Sequence, residues 1–546
     1  MKYSEYWSHK LKKYNLEEEI SDLKDKNKKL IKENENIKST KPFKLWKKYN
    51  SIKNRINKSN NNSRKNIKDF KVAIIADEFT YNSFKHEFIP ITITPNNWEQ
   101  KFKKYKPDLF FCESAWKGYD ENEIDPWEFK IPKMYKEKTE NRTDLFKIIE
   151  YCNENNIPTV FWNKEDPPHY RNESVSFAET ANKFDYIFTT SDKCLNQYKK
   201  DFNHDNVHIL MFAGQPKLFN PLKLNNETED KIVFAGSYYP NHKKRCELMD
   251  NIFDKIITQW EGKLKIFDRI YYEKWAEYPE RFKQYTYKPI PYEETSEVYK
   301  KVNWGLNLNT VTDSETMFAR RVFELALSYT FILTNYSVGV DKIFGDNVFV
   351  FDDMETLPDF NYSNIEKKIN NLYNVLENHT YTNRWKQILN IMGLEYAEDI
   401  DDITLIFEID DLNELDDTIK KYNSINYSNK TLAILITNES INRKNINQEI
   451  PSQVDNIYFK SDASYKKKLK KEIKTEYWMV IDKGIDNDFI KKAILHYQYL
   501  NKRISITENE DKFVLNVETD IKNKIINKNN LNYLDNAKNE VDVYYI

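Results

Sequence analysis

The sequence predicts two doubly wound α/β domains in tandem, with a helix before them and a smaller α/β unit after them. Three observations lead there. Short apolar runs alternate with helix-like stretches, and the runs are continuous, as in parallel strands covered on both faces. The pattern stops near Asn220 and restarts at Lys231. The chain has 546 residues, too many for one core, and roughly 150 residues per domain gives three or four units.

The elements follow in chain order. Residues 1–58 read as a helix and linker with a seven-residue period. Leu16, Leu23, Leu30 and Ile37 fall at d; Ile20, Asn27 and Asn34 fall at a. That pattern marks a parallel two-stranded coiled coil and predicts a homodimer; a lone helix docked on its own chain is the plainer account. Pro42 stops the helix, and residues 59–66 read as a linker. Residues 71–220 make the first doubly wound domain, with apolar runs at 71–76, 108–114, 158–163, 185–191 and 207–212. Residues 221–400 make the second, with runs at 231–236, 263–268, 304–309, 330–335 and 347–352. Helices fit at 143–155, 194–202, 243–258, 292–302 and 320–328. Residues 401–546 form the third unit, with runs at 403–409, 431–437, 456–460 and 477–482.

Composition excludes several functions. The net charge of -2 gives no field for nucleic acid or an anionic membrane. Cys112, Cys152, Cys194 and Cys246 lie far apart with no metal-ligand spacing, so reduced thiols and no structural zinc are expected. No apolar run reaches the ~20 residues of a membrane span, and the N-terminus lacks a signal-peptide core; a cytoplasmic protein is expected. Only nine glycines are present, without GxGxxG, P-loop, GxSxG or HExxH. That argues against Walker-type ATPases and dinucleotide-dependent dehydrogenases.

Ligands of such sheets bind at the carboxyl ends of the strands. Glu165, Asp166 and His169 follow the 158–163 run, where they could orient an acceptor hydroxyl or take its proton. A solvated turn is the plainer account. Gly236 and Ser237 follow the 231–236 run, and Gly236 would let backbone amides approach a phosphate. Lys243, Lys244 and Arg245 would add charge. In NTVTDSETMFARRVFELALSYTFILTNYS a helix starting near Thr316 carries Arg320, Arg321 and Glu324. Its N-terminus would receive a diphosphate, an arginine would neutralise it, and Glu324, about two turns in, would meet a ribose. A surface helix with ordinary Arg/Glu pairs is the plainer account.

The segments PTVFWNKEDPPHY, FDYIFTTSD, FAGSYYPNHKKR, PIPYEETSEVYKKVNWGLNLN and TMFARRVFELALSYTFILTN occur in that order. Together, over residues 71–353, they resemble the family of spore maturation protein CgeB and its glycosyltransferase relatives. The resemblance implies a GT-B architecture of two Rossmann-like domains and a nucleotide-sugar donor. It further implies a glycan, surface polymer or protein acceptor and no essential metal. It assigns Arg321 and Glu324 to the donor nucleotide and the loop from Tyr287 to Pro291 to the base. One departure stands out. Many retaining relatives carry two glutamates separated by seven residues, whereas Glu315 and Glu324 are separated by eight and Thr316 holds the expected place. The anomeric outcome therefore stays open.

The third unit resembles family-2 GT-A glycosyltransferases in ITLIFEIDDLNELDDTIKKYNSINYSNKTLAILIT and EYWMVIDKGIDNDFIKKAILHY. Their Asp-x-Asp metal site reads Asp482-Lys483-Gly484 here. Lysine and glycine supply no second carboxylate, so a degenerate domain is implied. A function of another class, a non-catalytic scaffold of a glycan-assembly complex, fits such a lost site.

The heptads make one prediction. Removing residues 1–58 converts a dimer to a monomer and leaves donor binding intact. Light scattering on both forms checks it, and equal masses per particle would refute the coiled coil.

Overall fold

The computed structural model describes residues 10–14, 24, 64–137, 139–222, 228–352, 354–438, 453–481, 484–509, 512–518, 520–530 and 540–546. The heptad residues from Leu16 to Ile37 lie outside these, as do Asp482 and Lys483. The chain divides into two compact units. The larger holds residues 65–221 and 227–397; the smaller holds 1–64, 222–226 and 398–546.

The first half of the larger unit contains β1 (Lys71–Ile75), α1 (Glu78–Phe84), β2 (Ile89–Thr92), α2 (Trp98–Tyr105), β3 (Leu109–Glu113) and α3 (Thr143–Glu154). It continues with β4 (Thr159–Asn163), β5 (Tyr186–Thr189), α4 (Asp192–Phe202) and β6 (Val207–Ile209). The strands form one parallel sheet in the order β2-β1-β3-β4-β5-β6. Every residue of β3 and β4 is buried, which is why these strands read as unbroken apolar runs. Strand β2 carries Pro90 and escapes that pattern. It lies at the sheet edge, where a missing N–H is tolerated.

The second half repeats the plan. It has β7 (Glu229–Ala235), α5 (Lys243–Gln259), β8 (Leu264–Phe267), β9 (Thr286–Tyr287), α6 (Thr295–Lys300) and β10 (Val302–Asn307). Then come α7 (Arg321–Leu327), β11 (Phe331–Thr334), α8 (Val338–Phe344), β12 (Phe349–Val350), α9 (Glu366–Asn378) and α10 (Tyr381–Ile391). Its parallel sheet runs β9-β8-β7-β10-β11-β12. Both sheets thus reverse direction beside their first strand, and the crevice at that reversal is where such sheets take ligands.

Helix α10 belongs to the second half in sequence but packs on the first. A capping box between Thr380 and Asn383 starts it. Trp385 then donates to the Ile67 carbonyl at 3.1 Å and packs against Phe70 and Phe88. Arg384 donates to the carbonyls of Met211 and Phe212, each at 3.0 Å, and Gln387 to that of Ile209 at 2.7 Å. The expected 59–66 linker also ends in structure: Lys65 and Asn66 pair in parallel with Tyr396 and Ala397.

Two expected helices change shape. The 292–302 stretch is a 3-10 turn followed by α6. The helix expected to begin near Thr316 begins at Arg321, and residues 309–320 form a loop.

The smaller unit is α/β as well. It contains β13 (Ile403–Ile409), α11 (Leu415–Ser424), β14 (Lys430–Ile436), β15 (Asn456–Phe459), α12 (Tyr465–Glu472), β16 (Tyr477–Ile481) and α13 (Phe489–His496). After these come β17 (Ser505–Thr507), β18 (Leu515–Glu518), β19 (Ile526–Asn527) and β20 (Val541–Tyr545). One sheet runs β15-β14-β13-β16-β19, with β19 antiparallel, and a second runs β17-β20-β18. All four cysteines are buried and unbridged. No described helix is long and apolar enough to cross a membrane.

Trp385 is 0 % exposed. Trp385→Ala should cost about 3–5 kcal/mol of stability, because it empties a large cavity and orphans a carbonyl. Urea unfolding measures it, and a loss under about 1 kcal/mol would mean that α10 contributes little to the first half.

Candidate functional site

The crevice of the second half is built around arginines. Ala235 ends β7 and Gly236 follows. The Gly236 amide does not reach outward, as the sequence suggested; it donates to the Phe267 carbonyl at 3.0 Å, and helix α5 begins only at Lys243. The glycine makes room instead. A Cβ there would lie 2.6 Å from the Phe234 ring and 3.1 Å from Arg321 Nη2. The Arg321 guanidinium lies 4.7 Å from the Phe234 ring centroid and donates to the Ala235 carbonyl. Arg245 enters from the first turn of α5 and donates to the carbonyl of the buried Ser237 at 3.0 Å.

Neither arginine forms an ion pair among the described residues. Burial first, and then the charge of Arg321, hold Arg245 below its ordinary value. The first turn of α5 carries Lys243, Lys244 and Arg245 and no acid. A helix dipole disfavours cations at that end. An anion placed there would relieve both repulsions.

Glu324 stands beside this pair. Because α7 begins at Arg321, Glu324 lies in its first turn, about 4.5 Å along the axis, and not two turns in. The loop before it is held by side chains. Asn309 Oδ1 accepts from the Ala319 amide at 3.0 Å, and the Asn309 amide N–H donates to Asn335 Oδ1 at 2.7 Å. Glu324 Oε1 accepts from Arg320 Nε at 2.8 Å and from the Tyr292 hydroxyl at 3.0 Å. Glu324 Oε2 takes no hydrogen bond among the described residues. Thr316 joins the two halves of the unit: its hydroxyl donates to the Thr190 carbonyl at 2.8 Å and accepts from the Asp192 amide at 2.9 Å. Glu315 is exposed and pairs with Lys342 at 2.6 Å. Tyr287, 46 % exposed on the edge strand, and Pro291, which opens the 3-10 turn, lie on the far side of Tyr292 in sequence.

The loop after β4 in the first half separates its three candidates. Asp166 is 0 % exposed. It accepts from Asn163 Nδ2 at 2.7 Å, Thr189 Oγ1 at 2.6 Å and the Tyr198 hydroxyl at 3.2 Å, so it anchors the loop from within. Glu165 and His169 stay partly exposed. The His169 tautomer follows from its neighbour. Asn172 Oδ1 accepts from the amides of Ser174 and Val175, each at 2.9 Å, which turns Asn172 Nδ2 toward His169 Nδ1 at 3.1 Å. Nδ1 is therefore the acceptor, and the neutral ring carries its proton on Nε2. His169 can donate from Nε2 but cannot take a proton there.

Sequence reasoning missed the charged cluster next to that loop. Lys164, 4 % exposed, pairs with Asp77 at 2.8 Å and with Glu113. Asp77 and Glu113 mark the carboxyl ends of β1 and β3, the reversal point of the first sheet. Asp77 also accepts from the amides of Trp116, Lys117 and Gly118. Burial pushes Glu113 up to about 7. For Lys164, burial pulls the ammonium down, but Glu113 and Asp77 outweigh it and hold it above its ordinary value. Lys164 Nζ lies 4.2 Å from the Phe79 ring centroid, and Arg320 Cζ lies 3.9 Å from the same centroid. The available signal was a charge on each of three consecutive apolar runs, at the end where ligands bind.

Residues 245–390 match a family model described as "Glycosyl transferase-like". No curated protein matches the chain. The fold is similar to several solved structures at low identity. TarM is 11% identical over 54% of this chain and 57% of its own, with a TM-score of 0.35. This chain thus spans little more than half of TarM. HepE of Anabaena, in complex with UDP and glucose, is 11% identical over 59% of this chain and 91% of its own, with a TM-score of 0.38. A glycosyltransferase from Rickettsia africae is 9% identical over 59% and 89%, with a TM-score of 0.34.

Burial pushes Asp166, too, up to about 7. A carboxyl that holds its proton more tightly folded than unfolded stabilises the fold below the ordinary carboxylate range. That contribution is lost as pH rises through about 7. Asp166→Asn removes one such titration, so the stability of the native protein relative to the variant should fall over that window. Urea unfolding at several pH values tests this; a difference that ignores pH would show that Asp166 is ionised throughout.

Proposed function

We propose that the chain is a GT-B glycosyltransferase that moves a sugar from a nucleotide-sugar donor to a glycan, surface polymer or protein. The observation that carries the reading is the pair Arg245 and Arg321, two guanidiniums without an ion pair among the described residues, at the reversal point of a parallel sheet and the start of a helix. A diphosphate supplies the two negative charges that this arrangement lacks. The glycosyl transferase-like match over residues 245–390 covers both arginines and Glu324. The five segments that resemble the CgeB family imply the donor class.

The chemistry follows from the parts. The acceptor hydroxyl oxygen attacks the anomeric carbon while the bond from that carbon to the diphosphate oxygen breaks. The electron pair stays on the nucleoside diphosphate, where Arg245, Arg321 and the dipole of α5 hold the charge without an essential metal. The hydroxyl proton goes to Glu165, because Asp166 is used inside the loop and His169 carries its proton on Nε2. His169 Nε2 donates to a sugar or acceptor oxygen. Glu324 Oε2 accepts from the ribose, with Oε1 fixed by Arg320 and Tyr292. Tyr287 and Pro291 flank the base. The protein acts in the cytoplasm, as a dimer through its N-terminal heptads, and the smaller unit is a degenerate GT-A-like domain without a metal.

Calorimetric titration of UDP, GDP, ADP, CDP and dTDP tests the donor site. At least one should bind. Arg245→Met and Arg321→Met should each weaken it about 10- to 100-fold, the loss of one or two charge-assisted bonds at about 1.5–3 kcal/mol each. Glu324→Gln should weaken it over the same range with the fold intact. If none of the diphosphates binds, the transferase reading fails and a scaffold role takes its place.

A further inference from the structure

The smaller unit contains a cavity of about 330 Å³, within the usual size range of ligand pockets. It opens at the carboxyl end of β16, next to Gly484 and Ile485. Phe489, the first residue of α13, lines it, and Thr507, Glu508, Glu518, Lys522 and Lys524 contribute polar groups.

The charges in it are already balanced. Lys524, 4 % exposed, pairs with Glu518 at 2.7 Å, and the other Glu518 oxygen accepts from the Tyr545 hydroxyl at 2.5 Å. Lys522 pairs with Glu408 at 3.4 Å. Glu508, exposed at the mouth, adds a further carboxylate to the lining. A phosphate entering here would meet paired ammoniums and an extra carboxylate. This is the reverse of the Arg245–Arg321 crevice, where the cations bond to carbonyls and form no ion pair among the described residues.

Neutral hydroxyls meet no such penalty. Each carboxylate offers about four acceptor directions and each ammonium three donors, so fixed ion pairs keep capacity for further hydrogen bonds. A hydroxyl both donates and accepts, and can bond to the two members of one pair. Ile485 and Phe489, both buried, close the apolar side of the cavity. A site whose buried polar groups expect hydroxyls also rejects ligands that lack them.

We propose that this cavity binds a neutral saccharide residue. That ligand class rests on the cavity alone; its being part of the acceptor glycan rests on the transferase reading.

The test uses the full chain and saturation-transfer NMR, with methyl glucoside, methyl galactoside and methyl N-acetylglucosaminide as probes and UDP as control. At least one glycoside should bind with a Kd on the order of 1 mM. Glu508→Gln and Lys522→Met, both at exposed residues, should each weaken it about tenfold, the worth of one hydrogen bond to a charged group. UDP affinity should stay unchanged in both. Arg321→Met should show the converse, losing UDP and keeping the glycoside. If no glycoside binds, if both variants keep full glycoside affinity, or if UDP binding falls in Glu508→Gln, the proposal is overturned. Absence of binding of UDP, GDP, ADP, CDP and dTDP alike to the native chain, with glycoside binding intact and sensitive to Glu508→Gln, would sink the transferase reading and leave the saccharide site standing.

Discussion

The larger unit depends on one contact, Phe79 held between two cations from opposite halves. Lys164 lies on the ring from the first half and Arg320 from the second, at 4.2 and 3.9 Å. Each cation–π contact contributes about 0.5–2 kcal/mol when desolvated. The larger effect is positional. Lys164 cannot leave without stranding Asp77 and Glu113 in the interior, and stranded charges are far more costly than the pair is stabilising. Arg320 cannot leave without removing one of the two donors that hold Glu324 Oε1, the other being the Tyr292 hydroxyl. The ring therefore joins two charge networks that share no hydrogen bond among the described residues.

The two halves share a strand order but not a polarity. At the reversal point of the first sheet, two carboxylates outnumber one ammonium. At the same point of the second, two guanidiniums stand without an ion pair among the described residues. The same topology thus carries an acidic cluster in one half and a basic one in the other. Fold alone could not have produced this difference; it lies in which side chains end β1, β3 and β4 and which begin α5 and α7.

Much of the fold was legible because parallel strands buried on both faces leave unbroken apolar runs. Ten of those runs became strands of the two large sheets. The exceptions have physical causes. Strand β2 contains Pro90 and lies at an edge, and β9 has only two residues. The start of α7 was misread because serine and threonine at 314 and 316 look like helix caps. In the folded chain Thr316 bonds across to Thr190 and Asp192, and Asn309 secures the loop that follows. Arg245, Arg321 and Glu324 were legible, since charge at a strand-to-helix turn needs only sequence position. Lys164 with Asp77 and Glu113 was not, because the three come from separate strands and only the sheet brings them together. The burial of Asp166 was equally invisible: its partners Thr189 and Tyr198 lie more than twenty residues further on.

Helix α10 carries a consequence for synthesis of the chain. The first half is made before the second, and domains generally fold in the order they leave the ribosome. Yet its flank at Ile67, Phe70 and Phe88 is closed by Trp385, and the carbonyls of Ile209, Met211 and Phe212 are satisfied by Gln387 and Arg384. While the whole second sheet is being translated, the nascent first half keeps an open apolar seam and unpaired backbone acceptors. Those residues are hidden only when α10 emerges and returns to them. The last helix of the second half thus serves as the closing wall of the first, and neither half reaches its native surface until both have been made.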